Sequence, residues 1–323
     1  MKTSPRIIFF GTPDFAVASL DQLVLSGYSV AAVVTAPDKP AGRGLKEKIS
    51  PVKEFSLKHG IPVLQPLNMK DPVFPEQLAA YKPDLQIVIA FRMMPRQVWA
   101  LPPMGTFNLH ASLLPQYRGA APINRAIMNG EHETGVTTFF LNEQIDAGRI
   151  LFSEKMEIGP DETAGELHDR LMKTGSLLVL KTVERIVSGD IGEIPLESPT
   201  VDPASLKQAP KIFKEDCRIN WNQEVITIHN FIRGLSPHPG AYTDLNTADA
   251  GALNLKIFRS LPEQTNPDGS PGDFLTDGKS WIKVAAKDGF IHLLEVQLSG
   301  RKVMSSGDFL RGFGRIFPET HGI

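Results

Sequence analysis

Residues Gly105–Gly119 read GTFNLHASLLPQYRG. The run Thr106–Leu109 has the apolar and β-branched character of a strand, with Asn108 and His110 two residues apart. Side chains alternate across an extended backbone, so these two are expected on one face and Phe107 and Leu109 on the other, against a core. A neutral amide donor beside an imidazole suits chemistry in which a carbonyl oxygen gains negative charge. Pro115 fixes φ and lacks an N–H, so a helix cannot run through it. Ser112–Pro115 is therefore expected to be a loop lining the same face.

Outward from this stretch the pattern alternates between two periods. Strands are expected at Arg6–Phe10, Ser29–Thr35, Pro62–Leu64, Leu85–Ala90, Thr106–Leu109 and Glu133–Leu141. Helices are expected at Asp14–Ser26, Pro51–Lys58, Asp71–Tyr81, Ile123–Asn129 and Glu162–Ser188. Such alternation predicts an α/β domain with an open, mostly parallel Rossmann-like sheet, whose ligands sit beyond the carboxyl ends of the strands. Gly192–Pro210 holds prolines at 195, 199, 203 and 210 and little periodicity, which marks a linker. Beyond it lie a helix at Val225–Gly234 and short strands at Ala252–Ser260, Phe274–Thr276, Trp281–Ala285 and Ile291–Val296. They suggest a small β-barrel of OB-like type. The expected division is residues 1–191, a linker at 192–210, and a C-terminal domain at 211–323.

With 323 residues, 41% hydrophobic and 22% charged, the chain has the composition of an ordinary globular protein. Cys217 is the single cysteine, which excludes an internal disulfide framework and suits a reducing cytoplasm. MKTSPR leads straight into the strand-like IIFFG, so no targeting segment is expected, and no stretch approaches the ~20 apolar residues of a membrane span. The net charge of −2 does not advertise a nucleic-acid binder, so any such binding must rest on local patches. The eight histidines are scattered without ligand spacing, and no metal is expected.

A second stretch, QIDAGRI at Gln144–Ile150, sets Asp146 between an isoleucine and a glycine turn. An aspartate near a histidine can orient the ring, stabilise its charge or take a proton. Singly, Asn108 reads as a buried amide and His110 as a satisfied core histidine. With Asp146 and the SLLP loop, the catalytic reading prevails. No nucleophile accompanies the three, which favours direct attack by a substrate amine over an acyl-enzyme.

These residues resemble the folate-dependent formyltransferases, and within them the methionyl-tRNA formyltransferases. The likeness covers nearly the whole chain. It rests on GTPDFA at Gly11–Ala16, TAPDKPAGRG at Thr35–Gly44, SPVK at Ser50–Lys53 and FNLHASLLPQYRGAAPI at Phe107–Ile123. QIDAGRI and SPHPGAYT at Ser236–Thr243 complete it. The resemblance implies transfer of a formyl group from 10-formyltetrahydrofolate to the amine of initiator methionyl-tRNA, by a cytoplasmic monomer. Asn108 and His110 would donate to the developing oxyanion, and Asp146 would charge His110 and relay the amine's proton. The reduced folate would lie against Ser112, Leu113, Leu114 and Pro115 and the backbone of Phe91, Arg92 and Met93. Arg92 stands where a small residue is common in the family.

Pro13 and Phe15 would border the methionyl side chain. Arg43 matches the family's central arginine on a loop that meets the acceptor end of the tRNA. Lys39 shares that loop, and Lys211, Lys214 and Arg233 are the basic candidates in the C-terminal domain. Two other readings are weaker. A glycinamide-ribonucleotide or sugar-nucleotide formyltransferase would not need the C-terminal third. A non-catalytic nucleotide module with an RNA-binding barrel would not need Asn108, His110 and Asp146 together.

Overall fold

A computed structural model describes residues 4–41, 46–144, 146, 148–190, 205–247 and 251–314. Arg43 and positions 192–204 of the expected linker lie outside the described residues. Two compact units form, and neither is one continuous stretch. The first is Met1–Gly119, Thr134–Met156 and His168–Gln208; the second is Ala120–Glu133, Glu157–Leu167 and Ala209–Ile323.

In chain order the first elements are β1 (Arg6–Gly11), α1 (Asp14–Leu25), β2 (Ser29–Val34), β3 (Lys39–Ala41), β4 (Lys46–Lys48), α2 (Pro51–Lys58) and β5 (Val63–Leu64). Then come α3 (Val73–Ala79), β6 (Leu85–Ile89), α4 (Arg96–Trp99), β7 (Thr106–His110), β8 (Arg118–Gly119) and α5 (Pro122–Met128). β9 (Glu133–Phe140), β10 (Ile150–Glu157), α6 (Ala164–Ser188) and β11 (Gln208–Ala209) follow.

Seven strands form one sheet in the order β10-β9-β7-β6-β1-β2-β5. The central pairs are parallel, and β9 runs antiparallel to β7. This is the mostly parallel sheet that the alternation predicts. The order reverses between β1 and β6, where open α/β sheets leave a crevice beyond the strand ends. A Cβ on Gly11, at the end of β1, would lie 2.6 Å from that of Ala16 and 2.9 Å from the Phe9 ring, so the turn into α1 needs glycine.

Register fixes the face on which Asn108 lies. Asn108 pairs with Val88, Val88 with Phe10, and Phe10 with Val34. Val88, Phe10 and Val34 share a core with Phe74 and Leu78 of α3 and Val98 of α4. The alternate row, Val33, Phe9, Ile87 and Phe107, is fully buried.

The second unit adds α7 (Val225–Gly234), β12 (Ala241–Thr247), β13 (Gly251–Gln264), β14 (Phe274–Thr276), β15 (Ile282–Ala286), β16 (Gly289–Leu298), β17 (Met304–Ser305) and α8 (Ser306–Phe313). Its antiparallel sheet runs β12-β13-β16-β15-β14, with β17 on β16. Among the described residues this is a half-barrel path from β12 to β14. Register shifts around Arg259 mark a bulge, the usual device for bending a long strand. Ile228 and Ile232 of α7 share its core with Ile257, Val284, Ile291, Val296 and Phe309.

Where elements differ from expectation, local chemistry gives the reason. The long helix begins at Ala164 rather than Glu162 because Thr163 caps it. The Thr163 N–H and Oγ1 both donate to Glu166 Oε2, and Glu166 N–H donates back to Thr163 Oγ1 at 3.3 Å. This is a reciprocal capping box. β10 escaped notice because its SEKME half is polar, as suits the outermost strand of a sheet.

The Glu166 carboxyl is pushed down to about 2, first by the Thr163 N–H and next by Arg259. A depressed carboxyl stabilises the fold fully above its ordinary value of 4.5, and that stability is lost as pH falls toward about 2. Glu166→Gln should lower Tm at neutral pH by an amount equivalent to roughly 1 kcal/mol or less, because the pair with Arg259 is half-exposed. The variant should also flatten Tm between pH 4.5 and 2, which calorimetry over that range would check.

Candidate active site

β7 delivers His110 to the carboxyl edge of the sheet, 7% exposed. Its Nε2 lies 2.8 Å from the Tyr117 carbonyl oxygen. A carbonyl only accepts, so Nε2 carries the hydrogen, and in the neutral ring Nδ1 holds the lone pair. Nδ1 faces Asp146 Oδ2 at 3.9 Å, which is ion-pair range but too long for a hydrogen bond. The same Asp146 oxygen accepts the Gly119 N–H at 3.1 Å. Two backbone groups of one loop, the Tyr117 carbonyl and the Gly119 amide, therefore hold the two side chains that face each other.

Asp146 has φ +47°, a left-handed conformation that aspartate tolerates better than most residues. Two residues on, a Cβ on Gly148 would sit 1.6 Å from the Phe140 carbonyl oxygen, so only glycine lets the segment pass. The Asn108 side chain is half-buried. Its carboxamide makes no hydrogen bond among the described residues and keeps its donors free beside His110.

The loop after β7 is pinned from two sides. Ser112 Oγ donates to the Gln116 carbonyl at 2.6 Å. Thr137 Oγ1 donates to the Ser112 carbonyl at 2.7 Å and accepts the Leu114 N–H at 3.2 Å. Ser112 and Leu114 are buried, so they hold the loop, while Leu113 and Pro115 are partly open. At the end of β6, Ala90 turns with φ +47°. Phe91 then packs edge-on against Phe10, 5.6 Å between ring centres, and Met93 is 74% exposed. Arg92 donates to the Pro66 and Leu67 carbonyls and lies 5.6 Å over the Phe91 ring. The side chain that departs from the family pattern thus fastens a neighbouring segment.

The remaining candidates are more scattered. Pro13 is exposed at the start of α1, and Phe15 is buried against the His168 ring at 5.2 Å. Lys39 lies on β3, in register with Lys48 of β4. Lys211 and Lys214 are exposed, with Lys211 Nζ 5.2 Å over the ring of an equally exposed Phe213. Arg233 needs correction as a surface contact. It is 5% exposed and donates to the carbonyls of Gly159 and Glu162 and to Asn230 Oδ1. A guanidinium closed in by three internal acceptors has no face to offer a phosphate.

Among the described residues no group of three or more His, Cys, Asp or Glu gathers to hold a metal ion, and no helix is long and apolar enough to cross a membrane. Sequence reasoning missed Tyr117, Gly119 and Thr137 as site residues. The first two act through backbone atoms and the third through one hydroxyl in the run TTFF. None of these leaves a side-chain motif. Arg118, half-buried between the two backbone contacts, was also missed; its Nε has no hydrogen-bond partner.

Residues 5–183 match the family model described as formyl transferase, and residues 211–314 match that of the formyl transferase C-terminal domain. A methionyl-tRNA formyltransferase of Bacteroides fragilis is 50% identical over 97% of this chain and 96% of its own length. That of Parabacteroides distasonis is 50% identical over 99% of both. Among solved structures, HypX from Aquifex aeolicus in complex with tetrahydrofolic acid superposes with a TM-score of 0.64 at 20% identity, over 96% of this chain and 48% of its own. That likeness speaks for the fold. Two matching domain models and half-identical relatives over nearly full length leave one assignment: the chain belongs to the methionyl-tRNA formyltransferase family.

Proposed function

We propose that this protein transfers the formyl group of 10-formyltetrahydrofolate to the amine of initiator methionyl-tRNA, as a cytoplasmic monomer serving translation initiation. The observation that carries the chemistry is the free Asn108 carboxamide on the strand that brings His110 to Asp146. The folate supplies an activated formyl carbon. As the amine adds, negative charge grows on the formyl oxygen, and Asn108 can donate to it from a half-buried position. Preorganised donors of this kind are worth several kcal/mol of barrier. His110 can donate from Nδ1 only when its ring is protonated, because Nε2 is committed to Tyr117. Asp146, facing that ring, takes the amine's proton directly or through water, and as the bond from the formyl carbon to the folate nitrogen breaks, that proton passes to the departing secondary amine of tetrahydrofolate.

The residues present suit a reduced folate. In the crevice expected where the strand order reverses, the turn at Ala90, the backbone of Phe91–Met93, and the partly open side chains of Leu113 and Pro115 would border the folate. Backbone groups at the end of β6 can pair with the pterin whatever the side chain at 92, so the arginine there is compatible with binding. Pro13, with Phe15 beneath it, would border the methionyl side chain. The working division remains a catalytic region at 1–191, a linker at 192–210 and a tRNA-binding region at 211–323. Arg43, Lys39, Lys211 and Lys214 would meet the tRNA.

Asp146→Ala should reduce turnover of charged initiator tRNA by about a hundredfold to ten-thousandfold. Binding of a reduced folate, followed by fluorescence, should change little in the same variant. Normal turnover in that assay overturns the assignment of Asp146. Arg43→Ala should slow formylation of methionyl-tRNA far more than it weakens folate binding. Because few basic side chains are on offer, tRNA affinity should fall only shallowly with salt, about one unit of log–log slope per phosphate engaged. A steep slope would mean that more phosphates are engaged than these few side chains provide, and an Arg43→Ala variant with wild-type rates would remove the loop from the tRNA site.

A further inference from the structure

Gln116 lies between Pro115 and the residue whose carbonyl holds His110. Its Oε1 accepts the Lys207 N–H at 2.8 Å, and its Nε2 donates to the Ser205 carbonyl at 3.3 Å. The next residue extends the same contact: the Tyr117 N–H donates to the Lys207 carbonyl at 2.7 Å. The segment at Ser205–Lys207, the described end of the expected linker, is thus joined to the catalytic loop by three hydrogen bonds. Tyr117 has φ +58° and is 5% exposed, a conformation unfavourable for an aromatic side chain unless its surroundings enforce it. The three bonds to 205–207, with Ser112 on the Gln116 carbonyl, supply that enforcement.

We infer that Gln116 is a positioning residue. By clamping the chain at Ser205–Lys207 it fixes the Tyr117 carbonyl and the Gly119 amide, and through them the mutual placement of His110 and Asp146. The inference rests on the catalytic reading of those two side chains. Its consequence is that a displacement of the segment leading out of the first unit reaches His110 through two hydrogen bonds, Lys207 to Tyr117 and Tyr117 to His110. Turnover then responds to what happens at 205–207 even though no residue there touches a reacting atom.

The test is Gln116→Leu, which keeps side-chain bulk and removes both bonds. With 10-formyltetrahydrofolate and charged initiator tRNA, kcat should fall about tenfold to a hundredfold, the cost of a misplacement of an ångström or less, with KM for each substrate within about twofold. The imidazole 15N shifts of His110 should move away from a single Nε2–H tautomer. Gln116→Glu, which still accepts the Lys207 N–H, should recover most of kcat. Lys207→Pro deletes that N–H from the other side and should reproduce the Leu phenotype. Wild-type kcat with unchanged His110 shifts in Gln116→Leu overturns the inference. So does a loss of kcat with unchanged shifts that Gln116→Glu fails to restore, since this marks a merely structural role. Wild-type turnover in His110→Asn would instead overturn the catalytic reading, and the inference with it.

Discussion

The hydrogen bond from His110 Nε2 to the Tyr117 carbonyl decides which nitrogen faces Asp146, and with it what the ring can do. A backbone carbonyl cannot rotate away or change protonation state, so the tautomer is set by the path of the chain. The path is in turn set by the cap that Ser112 places on Gln116, by Thr137 gripping Ser112 and Leu114, and by Lys207 holding Tyr117. The Gly119 amide on the Asp146 carboxylate completes a loop that positions both partners. At 3.9 Å the His110–Asp146 pair is near contact without being locked.

Most strands of the sheet could be read from apolar runs because parallel strands are buried on both faces, whereas their order came only with the structure. Leu85–Ile89 and Arg6–Gly11 have almost no polar interruption. The face of Asn108 and His110 followed from the period of two. What stayed illegible has a common cause, namely interactions whose partner is distant in sequence and acts through the backbone. The Tyr117 carbonyl, the Gly119 amide and the clamp from Gln116 to 205–207 carry no side-chain signature. Arg233 shows the opposite error. A basic residue near the end of a helix reads as a surface charge, yet here internal carbonyls at 159 and 162 accept its donors. Nothing within ten residues of Arg233 announces those acceptors.

The partition into units follows the same logic of distant partners. Segments 120–133 and 157–167 are early in the chain but contact residues beyond 209. Asn124 donates to the Gly234 carbonyl, and Arg259 pairs with Glu166. Boundaries drawn at a proline-rich stretch follow covalent order, and the two contact units exchange segments across them. Cutting at position 210 would leave Arg233 without the carbonyls it bonds and α7 without α5.

The polar character of β10 has a further consequence. A seven-stranded sheet has two edges, and exposed edges template pairing between molecules. One edge here is β5, only two residues long. The other is β10, whose outer half carries Glu154, Lys155 and Glu157 in exposed positions. A strand arriving from another molecule would meet alternating charge along β10 and too few amides along β5. The sheet is thereby protected from edge-to-edge aggregation at the cost of two weak strands, and replacing Lys155 by an apolar residue would expose that liability first.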